Sequence, residues 1–142
     1  AEVFHKPKSL RVARAFSDPP MNLLGASGHE GGVLLDGGPL LAIQFPPTKS
    51  AQLTVGMRAS VLRVQSQDGD VALAGQVELA EISGSDTFVH VSSSVGDVVA
   101  QLTGVHYFEL GAQIQLYVSP TQVYIFDAQG MLLLSPVRGG GR

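Results

Sequence analysis

Four histidines are the residues of this chain best suited to hold a metal, and their spacing does not support a metal site. His5, His29, His90 and His106 form neither the H-x-x-x-H nor the H-E-x-x-H pattern that places two imidazoles on one face of a helix. His90 lies in the apolar stretch Phe88–Val91, which is typical of a strand, so we expect a packed or half-exposed residue there. The sequence predicts no metal ligands.

Two pairs of carboxylates have the chemistry needed for general acid–base catalysis. Glu78 and Glu81 lie three residues apart in a predicted strand, and Asp68 and Asp70 flank Gly69 in a predicted turn. Aspartate is favoured beside a turn glycine because its side chain hydrogen-bonds the local backbone. General acid–base catalysis needs a desolvated pocket that separates the two pKa values, and no pattern here indicates one. We therefore interpret both pairs as structural or solvated.

Nucleophilic and nucleotide chemistry also lack their motifs. The chain has no cysteine and no G-x-S-x-G elbow, which would expose a serine nucleophile on a sharp turn. The pair Lys49-Ser50 follows two prolines and a threonine, whereas the phosphate-binding loop G-x-x-x-x-G-K-S/T needs glycines there. The prediction is a chain that is not itself an enzyme, with no catalytic residue and no bound cofactor.

The charge is distributed unevenly along the chain. The net charge is −3, yet residues 15–137 contain eleven of the twelve acidic residues and only three basic ones. Nucleic-acid binding needs clustered lysine and arginine to displace counterions from phosphates, and anionic lipid attracts the same residues. The excess of acidic residues within residues 15–137 therefore predicts no nucleic-acid partner. The remaining basic residues lie at the two ends: Lys6, Lys8, Arg11, Arg14, Arg138 and Arg142.

A helix is expected near the start of the chain. Leu10, Ala13 and Phe16 recur at helical spacing within residues 2–17, and the Pro19-Pro20 pair cannot continue the helical hydrogen bonds. The closing residues 137–142 are rich in glycine and are expected to form a flexible tail.

The rest of the chain has an all-β pattern, with 17 glycines and 8 prolines in 142 residues. Short apolar runs alternate with Gly, Pro and Asp turns roughly every 8–12 residues. The predicted strands are Met21–Ala26, Gly32–Leu35, Leu40–Gln44, Gln52–Arg58, Ser60–Val64, Val71–Ile82, Thr87–Val91, Val98–Thr103, Gln113–Val118, Gln122–Phe126 and Met131–Leu134.

Details of the pattern suggest how these strands connect. The segment Gly28–Gly32 is typical of a hairpin turn. The run Val71–Ile82 is long, and its alternation slips between Leu79 and Ile82, which predicts a bulge or a strong bend. Long bent strands turn the corners of small Greek-key barrels. In Gln113–Val118 one face is apolar and the other polar, as in a half-buried strand.

The stretch EVFHKPKSLRVARAFSDPPMNLL at residues 2–24 resembles a junction in the ATP-binding subunits of maltose-type carbohydrate ABC importers. In that family the nucleotide-binding domain ends in a pattern similar to E-V/I/L-Y-x-x-P-x-x-x-F-V-A-x-F-I/L-G-S-P-x-M-N. The positions that match it are Glu2, Val3, Phe4, Pro7, Val12, Ala13, Phe16, Pro19 or Pro20, Met21 and Asn22.

Three later segments extend the resemblance to residues 2–134. Gly56–Leu62 is similar to the family segment G-I/L/M-R-P-E-x-I/L, although Ala59-Ser60 replaces its Pro-Glu. Gly75–Val91 is similar to G-x-V-x-x-x-E-x-x-G-S/N-E/D-x-x-V/I-H-V. Val118–Asp127 is similar to a closing pattern with a proline and a final Phe-Asp. The positions to which structural or regulatory roles are carried over are Asn22, Arg58, Glu81, His90, Pro120 and Asp127.

The resemblance implies a mainly β, OB-like Greek-key barrel of short antiparallel strands with one short N-terminal helical segment. Residues 1–20 would end a nucleotide-binding domain that is absent from this chain, residues 21–136 would form the regulatory domain, and residues 137–142 the tail. The implied function is regulation and dimerisation of the ATP-binding subunit of an importer for a carbohydrate, polyol or related solute.

The resemblance also implies partners and a location. ATP and Mg²⁺ would belong to the missing ATPase domain, because the Walker A, signature and Walker B motifs are not in this sequence. The partners would be a second copy, membrane permease subunits and a regulatory protein, and the location the cytoplasmic face of the inner membrane. Because Ala59-Ser60 replaces the Pro-Glu of the family pattern, a regulatory contact through the family's glutamate is not expected here.

Two other function classes stay open at this point. A stand-alone OB-type module could bind a small anion or a nucleic acid, since OB folds host many functions. The scarcity of basic residues argues against it. A small hydrolase would need a nucleophile and a base within reach of each other, and the sequence nominates no such pair.

Overall fold

Ten strands and two short 3-10 turns make up the part of the chain that the computed structural model describes, residues 21–43 and 52–136. The predicted helix within residues 2–17 and the tail 137–142 lie outside the described residues. The strands are β1 (Asn22–His29), β2 (Gly32–Leu35), β3 (Leu40–Leu41), β4 (Gln52–Met57), β5 (Val71–Ser83), β6 (Asp86–Ser93), β7 (Gly96–Thr103), β8 (Gln113–Val118), β9 (Tyr124–Phe126) and β10 (Leu132–Leu134).

The strands form two antiparallel sheets. A six-stranded sheet has the order β10-β9-β4-β1-β2-β3, and a four-stranded sheet has the order β7-β6-β5-β8. The chain leaves the first sheet after β4, builds the second sheet, and returns to pair β9 with β4. The mainly β prediction is confirmed. No helix among residues 21–43 and 52–136 is long and apolar enough to cross a membrane.

Short turns set the register of the hairpins. The predicted turn within Gly28–Gly32 is confirmed: β1 pairs with β2 from Ala26↔Leu35 to His29↔Gly32. Gly31 has φ 88°, in the region that glycine adopts without steric cost. The bulge predicted in the long strand is also present, but it lies slightly earlier, between Val77 and Leu79 of β5.

The main core lies between the two sheets. Alternate residues of each strand face inward, because successive side chains of a strand point to opposite sides. From β1 and β4 the core receives Leu24, Val55 and Met57, and from β8 it receives Leu116 and Val118, all buried. A second, smaller cluster of buried residues consists of Met21, Tyr124 and Phe126.

One predicted strand is wrong and two are too long, since the strand predicted at Leu40–Gln44 ends at Leu41. Ser60–Val64 forms no strand: the 3-10 turn η1 occupies Ala59–Val61, followed by a single bridge between Arg63 and Tyr117. The backbone turns here because the chain must leave the six-stranded sheet at the end of β4 to begin the other sheet. The strand predicted at Gln122–Phe126 starts only at Tyr124, because the 3-10 turn η2 occupies Pro120–Gln122.

Candidate functional site

The six residues carried over from the family resemblance do not converge on one site. Asn22 and Arg58 lie at the same end of the six-stranded sheet. Glu81 and His90 contact each other across the β5–β6 pair. Pro120 opens a 3-10 turn, and Asp127 lies in a hairpin turn.

Asn22 joins the two sheets with its side-chain amide. It is the first residue of β1 and is 7% exposed. Its Nδ2 donates to the backbone oxygen of Val99 at 2.9 Å, and its Oδ1 accepts from the backbone N–H of Val99 at 2.8 Å. Val99 belongs to β7, an edge strand of the four-stranded sheet. One primary amide thus supplies the pair of hydrogen bonds that a neighbouring strand would otherwise make.

Arg58 packs against Tyr124 at the end of β4. Its Nε donates to the Tyr124 hydroxyl at 3.2 Å, and its guanidinium carbon lies 5.4 Å from the centre of the Tyr124 ring. A cation over an aromatic face is attracted by the ring quadrupole. Tyr124 is itself buried and stacks with Phe126 at a centroid distance of 6.3 Å. This contact fastens the end of β4 to β9.

Glu81 and His90 form a cross-strand pair on the surface of the four-stranded sheet. Glu81 Oε1 lies 3.2 Å from His90 Nε2, and both side chains are exposed, 60% and 38% respectively. An exposed pair of this kind contributes little to stability, about 0–1 kcal/mol. The pair lies on an open face and is not enclosed by a cleft.

Asp127 organises the turn between β9 and β10. Its Oδ1 accepts from the backbone N–H groups of Gln129 and Met131, both at 2.9 Å. Its own N–H donates to the Met131 carbonyl at 2.9 Å, and its carbonyl accepts from the Gly130 N–H. Such a network is the usual reason for aspartate at the first position of a turn.

Pro120 borders a small apolar cavity of about 200 Å³. The proline begins η2, whose cap is the Ser119 side chain, accepting from the Thr121 N–H at 3.3 Å. The cavity lies between the end of β3 and β10, which are the two edge strands of the six-stranded sheet. Its walls are Ala42, Ile43, Pro120, Thr121, Val123, Leu134 and Ser135.

A second cavity, of about 250 Å³, has more polar walls and was not indicated by any sequence motif. Its lining residues are Gly25, Ala26, Asp36, Gln52, Leu53, Thr54 and Ala128. The Asp36 carboxylate leans over Gly25 so closely that a Cβ there would meet Oδ2 at 2.6 Å. The cavity brings together one carboxylate, one amide and one hydroxyl, without a histidine or a basic side chain.

A partly buried ion pair that sequence reasoning missed secures the segment between η1 and β5. Arg63 donates to Asp70 Oδ1 at 2.8 Å, and the Asp70 side chain is 3% exposed. The other carboxylate oxygen accepts from the Gln67 N–H at 2.7 Å. The hydrogen bond from Arg63 is the main reason that the pKa of Asp70 lies below its ordinary value, against the opposing effect of burial. Only the Asp68-Gly69-Asp70 turn pattern hinted at it.

The connection between β7 and β8, residues 104–112, holds the two most exposed large apolar side chains of the described residues, Tyr107 and Leu110, together with Val105. Tyr107 is 86% exposed, Leu110 71% and Val105 50%. Its two ends are nevertheless fixed, since the Gly104 N–H donates to Ser85 and the Gly111 N–H donates to Val77, both at 2.7 Å. Phe108, in contrast, packs against the main core.

Within residues 21–43 and 52–136, no group of three or more His, Asp or Glu side chains could hold a metal ion. The described residues thus present structural pairs, the two cavities above and an exposed connection.

Comparison with known proteins identifies relatives over most of the chain. The chain is 30% identical over 132 residues to the sn-glycerol-3-phosphate import ATP-binding protein UgpC of Chromobacterium violaceum, with 90% of this chain and 35% of that protein covered. It is 31% identical to UgpC of Shigella sonnei, over 90% of this chain and 37% of that protein. It is 26% identical to the alpha-glucoside transport ATP-binding protein AglK of Rhizobium meliloti, over 91% and 38%. The chain spans little more than a third of the length of these relatives.

A solved structure supports the predicted architecture. The cytoplasmic molybdate-binding protein ModG, in a form with molybdate bound, superposes with a TM-score of 0.58 at 14% identity, over 73% of this chain and 94% of the other. At this identity the likeness concerns the fold alone, and it agrees with the OB-like prediction.

A family model matches residues 55–126, which is half of the chain and extends from the middle of β4 to the end of β9. It includes η1, the whole four-stranded sheet and the Arg58–Tyr124 contact. By this match the chain belongs to the TOBE domain family.

Proposed function

We propose that this chain is the regulatory and dimerisation domain of the ATP-binding subunit of an ABC importer. The observation that carries the proposal is the TOBE match, together with relatives that align with about 90% of this chain and are named as import ATP-binding proteins. Those names mention glycerol-3-phosphate and alpha-glucosides, so a carbohydrate, polyol or related solute is the proposed cargo of the parent importer.

In this proposal the chemistry belongs to the rest of the subunit. ATP and Mg²⁺ bind in its ATPase domain, and its partners are membrane permease subunits at the cytoplasmic face of the inner membrane. The domain described here acts mechanically, as a tether that keeps two motor subunits together while they open and close. A regulatory protein that binds the tether could then hold the motors apart.

Dimerisation of this kind would use one surface twice, because a two-fold axis brings the same patch of both copies together. Sedimentation equilibrium of the 142-residue chain, at concentrations from micromolar to near millimolar, tests it directly. A reversible dimer supports the tether. A strict monomer at the highest concentration contradicts the tether role of this chain, and leaves the family membership unaffected.

The assignment to an ATP-binding subunit has a separate test. The reading frame that encodes the chain is sequenced upstream of the Ala1 codon. A phosphate-binding loop G-x-x-x-x-G-K-S/T followed by a signature motif is the expected result. An upstream region that encodes no nucleotide-binding motif contradicts the assignment.

An OB-type anion sensor is the alternative, and the fold shared with a molybdate-binding protein is the observation that favours it. The charge argues against it, because residues 21–43 and 52–136 contain ten acidic residues and two arginines. Arg63 is held by Asp70, and Arg58 packs on Tyr124. Calorimetric titration with molybdate distinguishes the two: saturable heat at micromolar concentration favours the sensor, and its absence favours the tether.

A further inference from the structure

One surface of the four-stranded sheet combines exposed apolar side chains with carboxylates. We call it the acidic tip and define it by Ile82 at the end of β5, Val105, Tyr107 and Leu110 in the connection 104–112, and the carboxylates of Glu78 and Glu109. All six residues are exposed. Glu78 lies at the β5 bulge, between Val77 and Leu79.

Backbone hydrogen bonds bring these residues to the same edge of β5. The connection starts beside Ser85, where Gly104 donates, and it ends beside Val77, which exchanges hydrogen bonds of 2.7 and 2.9 Å with Gly111 and Ala112. It therefore follows β5 along the stretch that contains Glu78 and Ile82 and that has no partner from β8.

The acidic tip is held in place before any partner arrives. Near its start, the His106 N–H donates to the Thr87 hydroxyl at 2.9 Å, and the same hydroxyl donates to the Gly104 carbonyl at 2.8 Å. At its middle, Phe108 is partly buried and packs against the core. A fixed surface loses little conformational entropy on binding, which favours affinity.

The exposure of its apolar members is large. Tyr107 and Leu110 keep most of their surface in water, 86% and 71%, and Ile82 keeps 47%. Exposed apolar groups that lie together on a soluble domain commonly mark an interaction surface, and tyrosine is enriched at the centres of interfaces.

Charge decides which partner suits the acidic tip. The described residues contain ten acids against two arginines, and both arginines are engaged elsewhere by Asp70 and Tyr124. A second copy would bring the same patch of carboxylates, with no cation among its residues, against Glu78 and Glu109, because an isologous contact uses one surface twice. Opposite charges on two partners speed their encounter and fix how they align in the complex.

We propose that the acidic tip docks a lysine- or arginine-rich segment of a partner protein that also carries an apolar face. The proposal rests on the regulatory role given above, for which it names the receiving surface and the chemistry of the regulator. The apolar face of the partner covers Tyr107 and Leu110, while its cations neutralise Glu78 and Glu109.

The test uses the 142-residue chain and a fluorescein-labelled synthetic peptide of leucine and lysine in a helical pattern, followed by fluorescence anisotropy. A matched peptide of leucine and glutamate is the charge control. The chain variants are Tyr107→Ser with Leu110→Ser for the apolar part, and Glu78→Gln with Glu109→Gln for the charged part. Leu133→Ser, an exposed apolar residue on β10, and Asp97→Asn, an exposed acid on β7, are the matched controls.

The expected result is saturable binding of the lysine peptide that weakens with salt, and a loss of about tenfold or more in affinity in each tip variant. Tenfold corresponds to about 1.4 kcal/mol. The two control variants bind as the unchanged chain does. Circular dichroism checks that every variant is folded, so that a loss of binding can be attributed to the substituted side chains of the acidic tip.

Three results would overturn the proposal. The first is equal binding of the lysine peptide by the tip variants and the unchanged chain, and the second is equal binding of the glutamate peptide. The third is a dimer in sedimentation equilibrium that the Tyr107→Ser and Leu110→Ser changes abolish, because the occupant would then be a second copy. That third result would support the tether while refuting the docking of a basic partner.

Discussion

Replacing Asn22 by alanine should loosen the junction between the two sheets. The change removes hydrogen bonds of 2.9 and 2.8 Å and leaves the N–H and C=O of Val99 without the amide that satisfies them. Each bond contributes about 1 kcal/mol net, and an unsatisfied buried group costs about 1–3 kcal/mol. Because Val99 is only partly buried, water can recover some of that cost. We expect a loss of about 2–3 kcal/mol in the free energy of unfolding.

The aspartate variant tests the same contact by its dependence on pH. Asn22→Asp keeps an oxygen that accepts from the Val99 N–H, but its other oxygen meets the Val99 carbonyl, and a nearly buried carboxylate is costly. Burial and the facing carbonyl both raise the folded-state pKa of the new carboxyl above about 3.9, its unfolded value. Stability from its protonated form is therefore complete below the unfolded pKa and disappears as pH rises through the folded pKa.

Urea unfolding followed by circular dichroism at pH 7.5 and pH 4.5 measures both effects, with the unchanged chain at each pH as reference. Gln113→Ala removes an exposed amide from β8 and serves as the control, with an expected change within about 0.5 kcal/mol. The reasoning fails if Asn22→Ala costs no more than that control. It also fails if the deficit of Asn22→Asp is the same at the two pH values.

Three further changes test other contacts by unfolding free energy. The pKa of Asp70 is lowered in the folded chain, so the stability that its charged form contributes is present above the unfolded pKa and is lost as pH falls through the folded one. Asp70→Asn should therefore reduce the loss of unfolding free energy below about pH 4; an acid-induced loss equal to that of the unchanged chain would exclude the Arg63 pair as its cause. Gly32→Ala should cost at least about 2 kcal/mol more than Gly84→Ala, because both glycines have positive φ but only a Cβ at Gly32 would overlap backbone, the Leu41 carbonyl oxygen; equal costs would refute the crowding. Tyr124→Phe keeps the stacked ring, and the loss of its hydroxyl should lower the free energy of unfolding by about 1 kcal/mol. Tyr124→Ala removes the buried ring as well and should lower it by about 3–5 kcal/mol. Similar losses in the two variants would show that the ring contributes little.

Local patterns were sufficient where the determining contacts are also local. The turn within Gly28–Gly32 depends on neighbouring residues, and the alternation in Gln113–Val118 directly reports which face is buried. The segment Ser60–Val64 shows the limit of such patterns. A short apolar run is equally compatible with a strand and with a 3-10 turn, and the outcome here is decided by where the chain passes between sheets.

The roles of the candidate residues depend on contacts that sequence spacing cannot reveal. Asn22 and Val99 are 77 residues apart, and Arg58 and Tyr124 are 66 apart, so only the folded chain shows them as partners. The family resemblance directed attention to Asn22 and Arg58, but it did not say that one connects sheets and the other packs on a ring. The exposure of Tyr107 was equally hidden, because an aromatic in an apolar stretch usually enters a core.

The amide of Asn22 has a consequence for solubility. An edge strand with free N–H and C=O groups is a template on which another chain can add a strand. At Val99 both groups of β7 are already occupied by one side chain, and that side chain belongs to the first residue of β1. Any displacement of the chain at residue 21 that withdraws Asn22 would therefore expose the N–H and C=O of Val99, the groups that intermolecular strand pairing and aggregation at this point of β7 require.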